Sequence, residues 1–217
     1  MAEIIDRSKH YRNYDELPVL DSKNIDPKTY LIVPEGVGNL PKLQKLLNGY
    51  KQLARQHPPS WRTYSGQDIE ARAHELLAQD CPDLRIWRGG NFAEEKRDYS
   101  FQLSHAVGWT YGTFGGERPQ PVLIGVPLKE VVEAYKQEKI LIGGSGLSVG
   151  AIGIVPYLHP IDMDNLFTHQ IYRMPSHLTP NEQNTWVSDF IDKTSQKSGT
   201  THIDHLYSLV SDRLSKD

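Results

Sequence analysis

The chain has 217 residues, 24 Lys and Arg against 27 Asp and Glu, and a formal net charge of -3. That length suits a single domain with a core of its own, and the lone Cys81 excludes an internal disulfide and with it a stapled secreted scaffold. A phosphate-backbone binder needs clustered basic residues, and the balance here makes nucleic acid an unlikely partner.

Residues 1–28 hold many turn formers and no apolar run, so neither a regular element nor a signal peptide is expected there. Tyr30–Val33 reads as a short strand stopped by Pro34. A helix follows Asn39, with Pro41 in its first turn. Leu43, Leu46, Leu47, Tyr50, Leu53 and Ala54 form one apolar stripe on it. After the Pro58-Pro59 break, Ser65 and Asp68 have capping-box spacing, and Ile69, Ala73, Leu76 and Leu77 share the face of a second helix that ends before Pro82.

The texture then changes. Leu84–Trp87, Tyr99–Leu103, Val122–Val126, Lys139–Ile142 and Val149–Leu158 are short, β-prone runs bounded by Gly, Pro or charge. Two helices interrupt them, one from Ser104 toward Phe114 and one from Pro127 through Tyr135. Residues 140–158 carry no charge, which is near the length of a membrane span. Five glycines and Pro156 make two short strands joined by a turn over residues 143–146 the better reading, and no membrane association is expected. Thr179-Pro180-Asn181-Glu182 opens another helix as a capping box, and Thr201–Asp204 opens the last one. The fold class is therefore α+β: one domain over 1–217, with a helical flank (35–80), a mostly antiparallel strand-rich core around a cleft (84–158) and C-terminal helices (165–217). Two small sheets are expected around the cleft.

Several motifs fail on their chemistry. The glycine run Gly144–Gly150 lacks the spacing of a dinucleotide fingerprint and the lysine of a phosphate loop. Cys81 before Pro82 reads as a helix-end thiol. His202 and His205 offer half a metal site, so no metal is expected. Asp162 and Asp164 suit a turn as well as a cation.

Three pieces carry more. Arg88 ends an apolar run and precedes Gly89-Gly90, placing a bidentate cation beside bare backbone, which suits a phosphate or carboxylate. In the next strand, alternation puts Ser100, Gln102 and Ser104 on one face. Ser104 also suits a helix cap. Trp109, Tyr111 and Phe114 behind it can wall a flat ligand or fill the core. Glu138 stands where a helix ends and the strand Ile140-Leu141-Ile142 begins. There a carboxylate can steady positive charge developing on a sugar. Glu133, within the helix, is the alternative.

Trp87-Arg88-Gly89, then Ser100–Ser104 with Ala106 and Trp109 behind it, then Glu138 before an apolar strand, resembles the R-S-E class of mono-ADP-ribosyltransferases of bacterial toxin, effector or phage type. The resemblance covers residues 84–158. It implies NAD as substrate, with Arg88, Gly89, Ser104, Trp109 and Tyr111 holding it, Ser100 bracing the site and Glu138 promoting loss of nicotinamide. It also implies transfer of ADP-ribose to a macromolecular acceptor, a target protein, in a host among other settings. The chain would then be a cytoplasmic glycosyltransferase, or one delivered into a host cell without a conventional signal peptide. Hydrolysis of NAD on the same fold, and ligand or partner binding without catalysis, are the competing readings.

Overall fold

The apolar stripe behind Pro41 forms α1 (Leu40–Gln56), and its Leu43, Leu46, Tyr50 and Leu53 are buried. The computed structural model describes residues 13–33, 40–61, 65–92, 98–112, 120–144, 151–156, 166–199 and 201–216. The Ser65 capping box is closed in both directions. Ser65 Oγ accepts from Asp68 N at 3.2 Å, and Asp68 Oδ2 accepts from Ser65 N at 3.0 Å. It starts α2 (Gly66–Asp80). A second box, Thr179 with Glu182, starts the helix Pro180–Ser195. In both cases the sequence spacing satisfies amides that a helix start leaves without partners.

Between these helices run β1 (Arg85–Asn91), β2 (Asp98–Ser100), α3 (Leu103–Gly112), β3 (Pro121–Pro127), α4 (Leu128–Lys136), β4 (Ile140–Gly144), β5 (Ala151–Pro156) and β6 (Gln170–Arg173). The helices Pro180–Ser195 and Ile203–Leu214 follow as α5 and α6. The uncharged stretch from residue 140 forms β4 and β5, as expected of two strands. Gly143 and Gly144 belong to β4 rather than to a turn, and the rest of the expected turn lies outside the described residues. Among the described residues no helix is long and apolar enough to cross a membrane.

All five strand pairings are antiparallel, in the order β4-β5-β2-β1-β3-β6. The α+β class and its antiparallel middle stand, but there is one sheet where two were expected. The reason lies in β2, which is three residues long. It pairs with β5 along its whole length, yet with β1 at one position only, Trp87↔Ser100. Among the described residues the sheet is thus two three-stranded halves joined at a single pair.

Strand alternation assigns the two faces. Ile86, Tyr99, Ile124, Ile142, Ile152, Ile154 and Ile171 belong to the larger core, which also takes in residues of α1, α2, α4 and α6. Trp87, Leu123 and Tyr172 belong to a second core with Leu103, Ala106 and Val107 of α3 and Phe190 of α5. That second layer covers the β1-β3-β6 half. Over the other half, Leu141, Gly143 and Gly153 are only half-buried and Val155 is 42% exposed.

The described part of the N-terminal lead-in is packed, and its regular structure is two single 3-10 turns, Tyr14–Glu16 and Pro27–Thr29. Its Leu17, Leu20 and Ile25 are buried. It runs along the outer edge of β6, where Leu20 N donates to Arg173 O and Arg173 N donates to Pro18 O, both at 2.8 Å. The expected strand over Tyr30–Val33 shrinks to one parallel bridge, Ile32↔His202. There Ile32 N donates to Thr201 O at 3.1 Å and Ile203 N to Ile32 O at 3.0 Å. Lys197 Nζ donates to the carbonyls of Ser22 and Ile25.

Candidate functional site

The join between the two halves gathers the polar residues of the strand-rich middle. Ser100 ends β2 opposite Trp87 and is fully buried. Two residues later the chain turns into α3, because Ala106 N donates to Gln102 O at 3.2 Å and so makes Gln102 the residue ahead of the helix. The expected strand face of Ser100, Gln102 and Ser104 therefore does not form, and Ser104 sits inside the first helical turn. Ser104 lines a narrow crevice with Tyr30, Ile191 and Thr194. The Ser100 hydroxyl accepts from Gln102 N at 3.1 Å and lies 3.3 Å from His105 Nδ1. Both polar atoms of the Gln102 carboxamide are buried without a hydrogen-bond partner.

α3 buries Leu103, Ala106, Val107 and Thr110, at helical spacing, onto β1 and β3. Gly89 makes that contact possible: a Cβ there would stand 1.9 Å from Thr110 Oγ1 and 2.0 Å from Ala106 O. Gly89 is thus required by helix-on-strand packing, where a place beside a cofactor was expected. Tyr111 is held from two sides. Its hydroxyl donates to Pro175 O at 2.5 Å, and its ring meets Trp186 edge-on at 6.0 Å. Tyr111 therefore ties α3 to α5 and does not wall an open site. Trp109 is half-buried and lies against the His105 ring at 4.4 Å. Phe114 lies outside the described residues.

Arg88 occupies the gap where the halves part. Extending the Trp87↔Ser100 register by one step sets Arg88 level with Tyr99, on the opposite face from Ser100. Among the described residues β1 and β2 make no further ladder pair there, and Arg88 Nη1 donates to Asp98 O at 3.0 Å. The half-buried guanidinium thus reaches across to the parted strand. Asp98 shares the Ser100 face of β2, beside Gly153 of β5 and then Gly143 of β4. A Cβ at Gly143 would meet nothing within 4 Å, so the sheet beside the Asp98 carboxylate is bare backbone.

Glu138 is not part of this group. Its backbone lies in the left-handed region, φ 59°. Glu138 N donates to Tyr135 O at 2.9 Å and Lys139 N to Ala134 O at 3.0 Å. That double bond pattern closes the C-terminus of α4 and normally falls to glycine. The side chain is exposed. Ser100 pairs with Ala151 at one end of β5, whereas Ile140 pairs with Pro156 at the other. Five steps of about 3.4 Å and two strand gaps of about 4.8 Å separate Ile140 from Ser100 by roughly 20 Å, with Glu138 two residues beyond. The expected meeting of Glu138 with Arg88 and Ser100 is therefore corrected: a short helix stop holds Glu138 at the remote end of β4. Glu133, the alternative, is exposed and paired with Lys136 at 2.8 Å. Gln137 and Lys139, the neighbours of Glu138, line a separate groove of about 570 Å³ with Glu130, Leu166 and Thr168.

Sequence reasoning missed His105 and Asp98. The signal for His105 was its place five residues after Ser100, once the strand is known to turn at once into a helix. For Asp98 it was the alternation that sets Asp98 and Ser100 on one face. No family model, curated protein or solved structure matches the chain.

Proposed function

We propose that the chain transfers ADP-ribose from NAD to a macromolecular acceptor, a protein, with the site at the join of the two half-sheets. The observation that carries this reading is the parting of β1 from β2 at Arg88 among the described residues, where the guanidinium reaches the Asp98 carbonyl one register step from the buried Ser100, whose side chain is on the sheet's other face. An arginine fork held there suits the paired phosphates of a dinucleotide. Asp98, on the Ser100 face beside bare glycine backbone, is the carboxylate best placed to steady charge on a sugar ring. In the reaction the bond from the ribose C1′ to the pyridinium nitrogen breaks, and its electron pair leaves with nicotinamide. The acceptor's lone pair then forms the new bond to C1′ as its proton departs. With water as acceptor, the same site is an NAD glycohydrolase.

A second reading also has support. Gly89, Tyr111 and Glu138 each have a structural task, and the groove of about 570 Å³ lies away from Ser100. These favour ligand or partner binding without chemistry. Nicotinamide release, measured with and without cell-lysate protein, separates the readings. Release that grows with lysate supports transfer, release independent of it supports hydrolysis, and none supports binding alone. If transfer holds, Arg88→Ala weakens NAD binding by about 2–5 kcal/mol in calorimetry, with only partial rescue by Lys. Asp98→Asn lowers turnover about 100-fold with NAD still bound. Glu138→Gln leaves turnover unchanged. Full activity in Asp98→Asn, or its loss in Glu138→Gln, removes Asp98 from the role.

A further inference from the structure

The Ser100 hydroxyl has no exposed surface, so its one proton and its lone pairs must be placed within the protein. One lone pair accepts the Gln102 amide at 3.1 Å. The proton has one acceptor in reach among the described residues, Nδ1 of His105 at 3.3 Å. If Nδ1 carried a proton, it would donate to Ser100 and leave the hydroxyl hydrogen buried without an acceptor, an arrangement that folded proteins avoid. The bond therefore selects the neutral ring with its proton on Nε2. His105 lies half-buried in the first turns of α3, its ring against Trp109.

We propose that His105 is the positioning residue for Ser100, its Nδ1 accepting the hydroxyl proton and fixing the hydroxyl's direction until acid converts Nδ1 into a donor and releases it. The inference rests on the transferase reading for what Ser100 does, and it adds a pH control to that site. Burial independently lowers the His105 pKa from its ordinary 6.5. The ionisable groups on elements packed against α3 are Arg85 and Arg88 on β1, Asp98 and Tyr99 on β2, and Glu182, Asp189, Asp192 and Lys193 on α5. None of them contributes to that shift. The neutral ring is thus favoured twice, by burial and by the hydroxyl it accepts.

Two measurements on the full chain decide the matter. Long-range proton–nitrogen spectra read the ring directly. We expect the Nε2–H form of His105 at neutral pH, and in Ser100→Ala an upward move of its titration midpoint by about half a pH unit or more, because a donor that favours the neutral ring is gone. A ring protonated on Nδ1, or a midpoint that Ser100→Ala leaves in place, overturns the proposal whatever the activity. The second measurement is the pH profile of nicotinamide release. Asn at position 105 offers an amide oxygen near the place of Nδ1 but does not titrate. His105→Asn should keep kcat within about threefold of wild type at pH 7.5 and lose the acidic limb, whereas His105→Ala should lose about tenfold at pH 7.5 and show no acidic limb either. An unchanged acidic limb in His105→Asn also overturns it. A wild type that releases no nicotinamide, with the expected spectra, overturns the transferase reading and leaves the His105–Ser100 bond established.

Discussion

The two halves of the sheet have the same strand count and opposite surroundings. β1, β3 and β6 lie between two helical layers, and β3 is buried at all seven positions. β4, β5 and β2 are packed on one face, while the other carries Gly143, Gly153 and the exposed Val155. The difference shows in what glycine does in each. In the enclosed half, Gly89 and Gly125 are forced by neighbours, since a Cβ at 125 would stand 2.6 Å from the Trp87 ring. In the open half a Cβ at Gly143 would meet nothing within 4 Å, and one at Gly153 would meet only the Gly143 carbonyl and the Asp98 carboxylate at ordinary contact distance. A missing side chain is a packing requirement in one region and a bare floor in the other.

That contrast can be broken by substitution. Gly89→Ala drives a methyl into the Ala106 carbonyl and should cost about 3 kcal/mol, the upper range for overpacking. At about 2–4 °C per kcal/mol, its Tm should fall by about 6–12 °C. A Tm within 2 °C of wild type would mean that α3 slides at little cost.

A second effect belongs to the packed face beneath β2. His74 of α2 is buried against the Phe101 ring at 5.4 Å, with Nδ1 lacking a hydrogen-bond partner. Burial, the largest cause, lowers its pKa to about 4, against the pull of Glu70. Between pH 6.5 and 4 the unfolded chain holds a proton there that the folded chain does not. Stability contributed by His74 is full above pH 6.5 and is lost as the pH falls toward 4, by roughly 3 kcal/mol in all. Urea unfolding from pH 7 to 4 should show that decline, and His74→Leu should flatten it. Equal slopes in both proteins would assign the acid limb to other groups.

Smaller effects sharpen the open half. Glu138→Gly relieves a left-handed residue at the stop of α4 and should raise stability by about 1 kcal/mol, or about 2–4 °C in Tm. A loss of stability there would show that the Glu138 side chain holds the turn. Gly143→Ala should change stability by less than about 0.5 kcal/mol, because its Cβ meets nothing within 4 Å. A cost comparable to that of Gly89→Ala would abolish the distinction between the halves.

Local signals were readable in the sequence, and relations between strands were not. The Ser65 and Thr179 capping boxes and the α1 stripe depend on residues within one or two turns, so their spacing carried them. β6 was read as part of a helical region because Ile171 enters the larger core and Tyr172 the smaller one, so a strand covered on both faces shows no alternation. Arg88, Ser100 and Glu138 were correctly placed in the strand-rich middle. Their mutual positions depend on register, which adjacent sequence does not encode. One step of register sets Arg88 and Ser100 on opposite faces, and the length of β4 carries Glu138 away from both. The role of Gly89 lay in the helix packed above it, at Ala106 and Thr110.

The stitching of residues 18–32 to residues 173–203 has a consequence for biosynthesis. Leu20 bonds to Arg173, Ile32 to Thr201 and Ile203, and Trp87 Nε1 donates to Thr29 O at 2.8 Å. As the chain leaves the ribosome, the early segment emerges long before the partners that fix it. The buried Leu20, Ile25 and Trp87 share a core with Tyr172, Met174 and Phe190, which are made at least 85 residues after Trp87. Contacts of such high sequence separation slow folding and prolong the exposure of apolar surface. Until residue 190 is made the nascent chain carries an unfinished second core, the interval in which a chaperone has most to protect.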